Sequence, residues 1–503
     1  MKNLLFYAKA GKNWIGGIYY IKNMLNILSF IPDFDKAYNI YLCIDTEFIN
    51  EFSELNVEIH YIKKSDKEEQ ILEIFDTYKI DIVMPVVKLP CSCLINDACI
   101  YWIPDFQEIY YPENFSLKEL KMRSIRNSYM AENHKQIILS SKDVLADYNS
   151  LYSEYNKNVS VVHFSAYIED MVSRMSDEYV EKVMKQYDIS FDYIFTSNQF
   201  WKHKNHEVLF RAISFIKENY GMDIHLVCTG FMNSYGKEND EHVEKLVKII
   251  ETNNLEGNIH LLGLIGREEQ LAIMRNADVL IQPSLFEGWG SSVEEAKVMG
   301  KYIVASDLEV HKEQANENVI LFKKNSVEDL AKKIVSLFPI KEKYNDEKGK
   351  KYYISKTREY AEELRGVLEC MPKVKIHNAM ERLCELRRKK ILQLFGSDEK
   401  EKIGIYGVGK QTDIVLDICR ELKIQREFVF FDSDENKWGR KYHGYVILSP
   451  GSIPQSGVRR IIISSLVYQE EIYDELIQKE IGGVDIIKMY ENDLEKQIGS
   501  LAF

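Results

Sequence analysis

Short apolar runs alternate with stretches of helical spacing along most of the chain. In the first third they fall at residues 4–8, 37–44, 57–62, 80–84, 98–103, 136–140 and 159–163. Runs of this length, separated by segments long enough for a helix, predict strands of a parallel sheet with helices on its faces. The series ends near Phe164, and a second one occupies 193–196, 224–229, 259–262, 279–281, 302–305 and 319–322. Two such series predict an α/β chain with two Rossmann-like domains. Open parallel sheets bind ligands outside the carboxyl ends of their strands, so the two domains are expected to face each other across a cleft. Beyond residue 340 the pattern changes to charged helices, of which 351–368 is expected to return toward the first domain, and a basic amphipathic stretch follows at 374–395. A strand, glycine turn and helix then open at Ile403. The predicted divisions are 1–168, 169–345, a crossover and linker region at 346–398, and a small Rossmann-like module at 399–503.

Composition narrows the uses of this architecture. The 503 residues fit about three domains of ordinary size, and 45% hydrophobic content is ample for packed cores. A formal net charge of -13 argues against nucleic acid as a partner. Cys91, Cys93 and Cys99 cluster, but a single-residue gap does not suit zinc and no companion pair follows, so the expected state is reduced thiols in the cytoplasm. No apolar run approaches the roughly 18 residues of a membrane span, and residues 4–8, followed by Lys9, are too short for a signal peptide. The basic stretch, with Lys373, Lys375, Arg382, Arg387, Arg388, Lys389 and Lys390, leaves a connector, a contact between copies, or a peripheral contact with anionic lipid at the inner membrane face open.

The candidate chemistry centres on Pro283-Ser-Leu-Phe-Glu287-Gly-Trp-Gly-Ser-Ser-Val-Glu-Glu295-Ala. The apolar run before it reads as a buried strand, Gly288 and Gly290 allow a tight turn, and Ser291 and Ser292 open a helix whose unpaired amides favour an anion. Glu287 lies in the turn and Glu295 one to two helical turns further on. Two carboxylates so placed can accept hydrogen bonds from sugar or ribose hydroxyls beside a phosphate.

This segment resembles the E-x7-E signature of retaining GT-B glycosyltransferases, glycosyltransferase family 4, and Ser306-Asp-Leu-Glu-Val-His311-Lys-Glu-Gln314 resembles that family's next recurring block. The resemblance implies a GT-B fold and a nucleoside-diphosphate sugar as donor. Gly11 and the pair Gly16 and Gly17 match the family's glycine loop in place and order, a loop expected before a helix at 18–28. Trp102-Ile-Pro-Asp105-Phe-Gln107-Glu108 resembles an acceptor-side stretch in which Asp105 and Gln107 match, whereas Glu108 stands where the family commonly has histidine. Ser197-Asn-Gln199-Phe-Trp-Lys202-His-Lys204 resembles its diphosphate-binding stretch. Lys204 matches; Gln199 stands where an arginine is common, and Lys202 is the candidate replacement cation. The turn at Gly263 and Leu264 corresponds to the one that passes the nucleotide base, and backbone contacts there leave UDP, GDP and dTDP open.

The resemblance therefore implies retaining transfer of a sugar to a glycan or lipid-linked saccharide acceptor in surface polysaccharide or glycoconjugate synthesis, with no required metal or other cofactor. A homo-oligomer fits the same reading. A GT-B nucleotide-sugar epimerase and a non-catalytic sugar-nucleotide-binding scaffold are the alternatives, the second kept by Glu108 and Gln199. In the last region Gly407-Val-Gly409-Lys-Gln-Thr412 resembles a dinucleotide fingerprint with Thr412 in the third glycine position, and Asp432-Ser-Asp434 is expected to be a turn rather than a metal site.

Overall fold

The computed structural model describes residues 1–8, 15–65, 68–87, 89, 94–232, 237–339, 345–371, 378–396, 401–465, 468–479 and 481–490. β1 (Lys2–Tyr7), β2 (Tyr38–Ile44), β3 (Ile59–Lys63), β4 (Ile82–Val86), β5 (Cys99–Ile103), β6 (Gln136–Leu139) and β7 (Val159–Val161) form the first sheet. Its order is β3-β2-β1-β4-β5-β6-β7, with every pair parallel. β8 (Tyr193–Ser197), β9 (His225–Thr229), β10 (Ile259–Gly263), β11 (Val279–Gln282), β12 (Tyr302–Ser306) and β13 (Val319–Phe322) form the second, in the order β10-β9-β8-β11-β12-β13, again parallel. The central strands read as continuous apolar runs because both faces are covered; β4 and β5 are buried at every residue. These are the two facing Rossmann-like units of the GT-B plan.

The helix Ile15–Leu28 follows β1 and buries Ile18, Met24, Leu25 and Leu28 in a core that also takes in Phe195 and Leu280 of the second sheet. The two halves thus share buried apolar surface. The helix begins three residues earlier than expected, so Gly16 and Gly17 lie in its first turn and not in a preceding loop. Two glycines cost roughly 1 kcal/mol each in a helix, a deficit that burial of the following face outweighs. Gly11 lies outside the described residues, as do Cys91 and Cys93.

The crossover helix Asp346–Cys370 runs back across both halves, with Tyr360 and Leu364 fully buried between them. The next helix, Ala379–Phe395, carries the described part of the basic stretch, whose Lys373 and Lys375 lie outside the described residues. Ala379 and Leu383 pack in a core of the first sheet, where Ala379 N donates to Asp76 Oδ1 at 3.0 Å and Arg387 pairs with Glu69 at 2.8 Å. Ile391, Leu394 and Phe395 pack in the core of a third sheet. It is a connector, its apolar positions shared between two cores.

That third sheet contains β14 (Ile403–Tyr406), β15 (Phe428–Phe431), β16 (Lys441–Tyr442), β17 (Tyr445–Leu448), β18 (Arg460–Ile463) and β19 (Asp485–Lys488), ordered β16-β17-β15-β14-β18-β19. Among the described residues of this sheet only β16 and β17 pair antiparallel. Among the described residues no helix is long and apolar enough to cross a membrane.

Candidate functional site

β11 ends at Gln282, and the chain turns through 283–290 into the helix Ser291–Val298. Glu287 is buried at the centre of this turn. Lys204 Nζ, in the loop after β8, donates to both its oxygens at 2.7 and 2.8 Å. Gln282 Nε2 and Ser284 Oγ donate to Oε1 at 2.8 and 2.7 Å. Burial pushes the Glu287 carboxyl up, but the Lys204 ammonium and these hydrogen bonds outweigh it and hold the group below its ordinary range. Glu287 is therefore an anion with a fixed orientation.

The turn is tight for a physical reason. A Cβ at Gly288 would overlap the Pro104 carbonyl oxygen and come within 3.0 Å of Asp105 Cβ, so the second half meets the first here through bare backbone. A Cβ at Gly290 would lie 2.9 Å from Gln314 Oε1 and 3.6 Å from His311 Nε2. His311 is fully buried; its Nδ1 donates to Ser306 O at 2.8 Å, and burial holds the ring neutral, which leaves Nε2 a lone pair without a hydrogen-bond partner.

Glu295 is the second buried carboxylate. Arg267 Nη2, at the start of the helix Arg267–Asn276, donates to Glu295 Oε1 at 2.6 Å, and its guanidinium lies 4.8 Å from the Tyr19 ring centre. Tyr19 belongs to the helix after β1, so this stack ties the halves together. Glu295 Oε2 is buried without a hydrogen-bond partner in the protein. Ser292 Oγ donates to Ser197 O at 3.0 Å, docking the signature helix on the end of β8, and Ser291 is exposed at its first turn.

The first half contributes Asp105 and Gln107. Asp105 Oδ1 accepts from Gln107 N at 3.1 Å; burial raises its carboxyl, helped by the nearby charges of Glu108 and Glu287. Gln107 Nε2 meets His203 Nδ1 across the cleft at 3.0 Å, and burial beside Lys204 lowers His203 to about 3, so this ring accepts the amide proton as a neutral base.

Other expected residues are engaged elsewhere. Glu108 is held by Arg123 Nη1 at 3.2 Å and Asn127 Nδ2 at 3.0 Å. Gln199 Oε1 accepts from Phe231 N at 2.9 Å and so braces the loop after β9. Lys202 is exposed, with its charge felt by His242. Gly263 ends β10 at φ 71°, its carbonyl accepting from Gly230 N at 2.9 Å, and Leu264 beyond it is 56% exposed. Arg267, His203, His311 and Gln314 had no assigned role in the sequence reading. Arg267 follows a glycine turn at the mouth of a strand, which is the one local signal pointing to it.

The cleft thus holds two buried ion pairs, Lys204 with Glu287 and Arg267 with Glu295. Residues 181–353 match the family Glycosyl transferases group 1. That region contains Lys204, Arg267, Glu287 and Glu295, and it supports sugar transfer as the reaction. Residues 399–487 match the family C2185-like, N-terminal. Among solved structures, the fold is similar to a glycosyltransferase from Rickettsia africae ESF-5, at 17% identity and TM-score 0.55 over 74% of this chain and 99% of that one. It is also similar to Anabaena Alr3699/HepE in complex with UDP and glucose, at 15% identity and TM-score 0.52 over 73% and 100% of the two chains. The Candida albicans trehalose-6-phosphate phosphatase N-terminal domain shares the fold at 12% identity and TM-score 0.50, over 74% and 97%. At such identities the likeness is one of fold. A search of curated proteins found no match.

In the C2185-like region, Asp432 Oδ2 accepts from Val408 N and from Lys437 Nζ, both at 2.8 Å, and Asp432 Oδ1 accepts from Asp434 N at 2.9 Å. Thr412 Oγ1 bonds to Gly407 O at 2.6 Å and Ser464 Oγ at 2.8 Å. The aspartate thus closes a turn and ties the glycine loop to the next strand.

Proposed function

We propose that the chain is a retaining glycosyltransferase of the family 4 type, moving a sugar from a nucleoside diphosphate to a glycan or lipid-linked saccharide in surface polysaccharide or glycoconjugate synthesis. The observation that carries this reading is the buried Lys204–Glu287 pair lying against the first half at Gly288, with the Arg267–Glu295 pair on the same signature segment. Cleaving a glycosyl–phosphate bond builds positive charge at the anomeric carbon and negative charge on the departing phosphate. Lys204 and the amides at Ser291 and Ser292 stabilise the phosphate, and Glu287 orients the donor sugar. Glu295 accepts a ribose hydroxyl on Oε2, the oxygen with no partner, while Arg267 holds its other oxygen. The acceptor oxygen bonds to the anomeric carbon on the face that the phosphate leaves, and the phosphate takes the acceptor proton. Asp105, against Glu287 from the first half, is suited to an acceptor hydroxyl. The charge is supplied by side chains and amides, so no divalent metal is required, and the protein works on the cytoplasmic side.

UDP and glucose held by a neighbour of the same fold support a nucleotide-sugar donor. Incubation with UDP-, GDP- and dTDP-sugars, followed by product analysis, tests the reading. Transfer or donor hydrolysis that disappears in Glu287→Gln and Glu295→Gln supports it. Interconversion of the free nucleotide sugar assigns an epimerase, and binding without turnover assigns a scaffold.

A further inference from the structure

Two residues beyond the last strand of the first sheet, a charged cluster joins three parts of the chain. His163 Nδ1 lies 2.6 Å from Glu363 Oε1 of the crossover helix, and its Nε2 lies 2.7 Å from Glu313 Oε1 on the helix Glu309–Gln314 of the second half. Glu363 Oε2 also accepts from His163 N at 2.7 Å, and Glu313 accepts from Lys142 N through both oxygens at 3.0 and 2.9 Å. Both ring nitrogens face carboxylates at hydrogen-bond length. A neutral imidazole has one N–H and would turn a lone pair toward one of them, so the geometry calls for the imidazolium.

The cluster reaches the candidate site through Trp289. Its ring centre lies 5.3 Å from that of His163, and its Nε1 donates to Phe164 O at 2.8 Å. Trp289 stands two residues after Glu287. Glu313, in turn, lies on the same short helix as His311 and Gln314, the two side chains beside Gly290.

We propose that His163 is a positioning residue, an imidazolium clasp between Glu313 and Glu363 that holds the two halves together and sets the 287–290 turn through Trp289. The clasp rests on the transferase reading only for its consequence in turnover. Glu359 and Glu363 stand close enough to His163 to suggest a cation site, but the short contacts of both ring nitrogens with carboxylates favour protons there. The groups facing the clasp are Glu313 with Lys142 and Asp143 beside it, and Glu363 and Glu359 on the crossover helix, with Tyr360 near Glu363. Burial works against the charge, and hydrogen bonds donated by the ring to both carboxylates outweigh it, raising His163 to about 9. Its folded value lies above the ordinary value, so the clasp is fully present below about pH 6.5 and is lost as pH rises through about 9.

Imidazole NMR titration of the full chain tests the clasp without turnover. One resonance should titrate near pH 9 and be missing in His163→Gln. In Glu313→Gln, which removes one carboxylate and keeps an acceptor, the same resonance should move down toward the ordinary range. No imidazole midpoint above 8, or one indifferent to Glu313→Gln, overturns the clasp. Adding zinc discriminates the cation reading: an imidazole that loses its titration at stoichiometric metal also overturns it. The effect on the signature turn is read separately. In His163→Gln and Trp289→Phe, kcat should fall roughly ten- to a hundredfold with donor KM little changed, because the reacting groups are displaced more than the donor is released. Only the first substitution should also remove the alkaline break near pH 9. A folded His163→Gln protein with full kcat overturns the positioning role. If no donor turns over, the emission difference between wild type and Trp289→Phe decides: a change near pH 9 that His163→Gln abolishes supports the coupling, and its absence refutes it.

Discussion

Lys204→Met removes an ammonium from a carboxylate that stays buried. At 2.7 Å the pair attracts by about 6 kcal/mol for an effective dielectric near 20. Desolvation of both groups offsets much of that, and removing one partner of a buried pair typically costs about 3–5 kcal/mol. Glu287 keeps its donors from Ser284 and Gln282, so the lower end applies, about 3 kcal/mol. For a domain of this size that lowers the melting temperature by roughly 6–12 °C. Adding Glu287→Gln removes the stranded charge, so the double variant should be more stable than the Lys204→Met single. The pH dependence has a definite sign. In the wild type Glu287 ionises below its ordinary value of 4.5, so it contributes stability above that pH and loses it on acidification. In Lys204→Met burial is opposed mainly by the Ser284 and Gln282 hydrogen bonds, so the folded value rises and the ionised carboxylate opposes folding as pH increases. The gap between the two proteins should therefore close below about pH 4. Calorimetric scans from about pH 3 to 8 measure it. A gap constant with pH, or a double variant as unstable as the single, would refute the reasoning.

Arg267→Met should weaken nucleoside diphosphate binding about ten- to a hundredfold, the loss of one charge-assisted hydrogen bond together with a stranded Glu295; titration calorimetry measures it. Gly288→Ala forces a methyl against Pro104 and should cost about 1–3 kcal/mol along with turnover. Gly257→Ala, where a Cβ meets nothing within 4 Å, serves as its control. Leu383→Ala and Phe395→Ala lie on one helix but in different cores, so they should lower different unfolding transitions, by about 2–5 kcal/mol each. A single transition displaced equally by both would remove the two-core account of that helix.

The strands were legible because both parallel sheets bury them on two faces, which writes each as an unbroken apolar run. Boundaries were less so: a helix can enter through Gly16 and Gly17 when later turns are well buried, and propensity alone does not show it. At the site, Glu287 and Lys204 were both marked by local motifs, but their contact spans 83 residues and no periodicity encodes it. Arg267 and His203 were missed for the same reason, each acting on a partner from a distant turn. Gln199 and Glu108 show what a motif position leaves out: Phe231 N donates to Gln199 Oε1, and Arg123 and Asn127 donate to Glu108, partners that no local pattern names.

The signature segment gains its meaning from these distant partners. Glu287 holds Lys204 after β8; Gly288 admits Pro104; Trp289 reaches Phe164; Gly290 makes room for Gln314; Ser292 anchors on Ser197; Glu295 holds Arg267. Glu294, between them, pairs with Lys297 at 3.0 Å and accepts from Gln314 Nε2 at 2.8 Å, while Tyr352 of the crossover helix donates to its other oxygen. Nearly every residue from 287 to 295 is therefore fixed by an element outside its own helix, and three of those elements belong to the first half or to the crossover helix. A carboxylate set this way has little freedom to follow a substrate. It follows that the spacing of the two glutamates is a consequence of packing as much as of chemistry, since a one-residue insertion between them would turn Glu295 about 100° around its helix and away from Arg267.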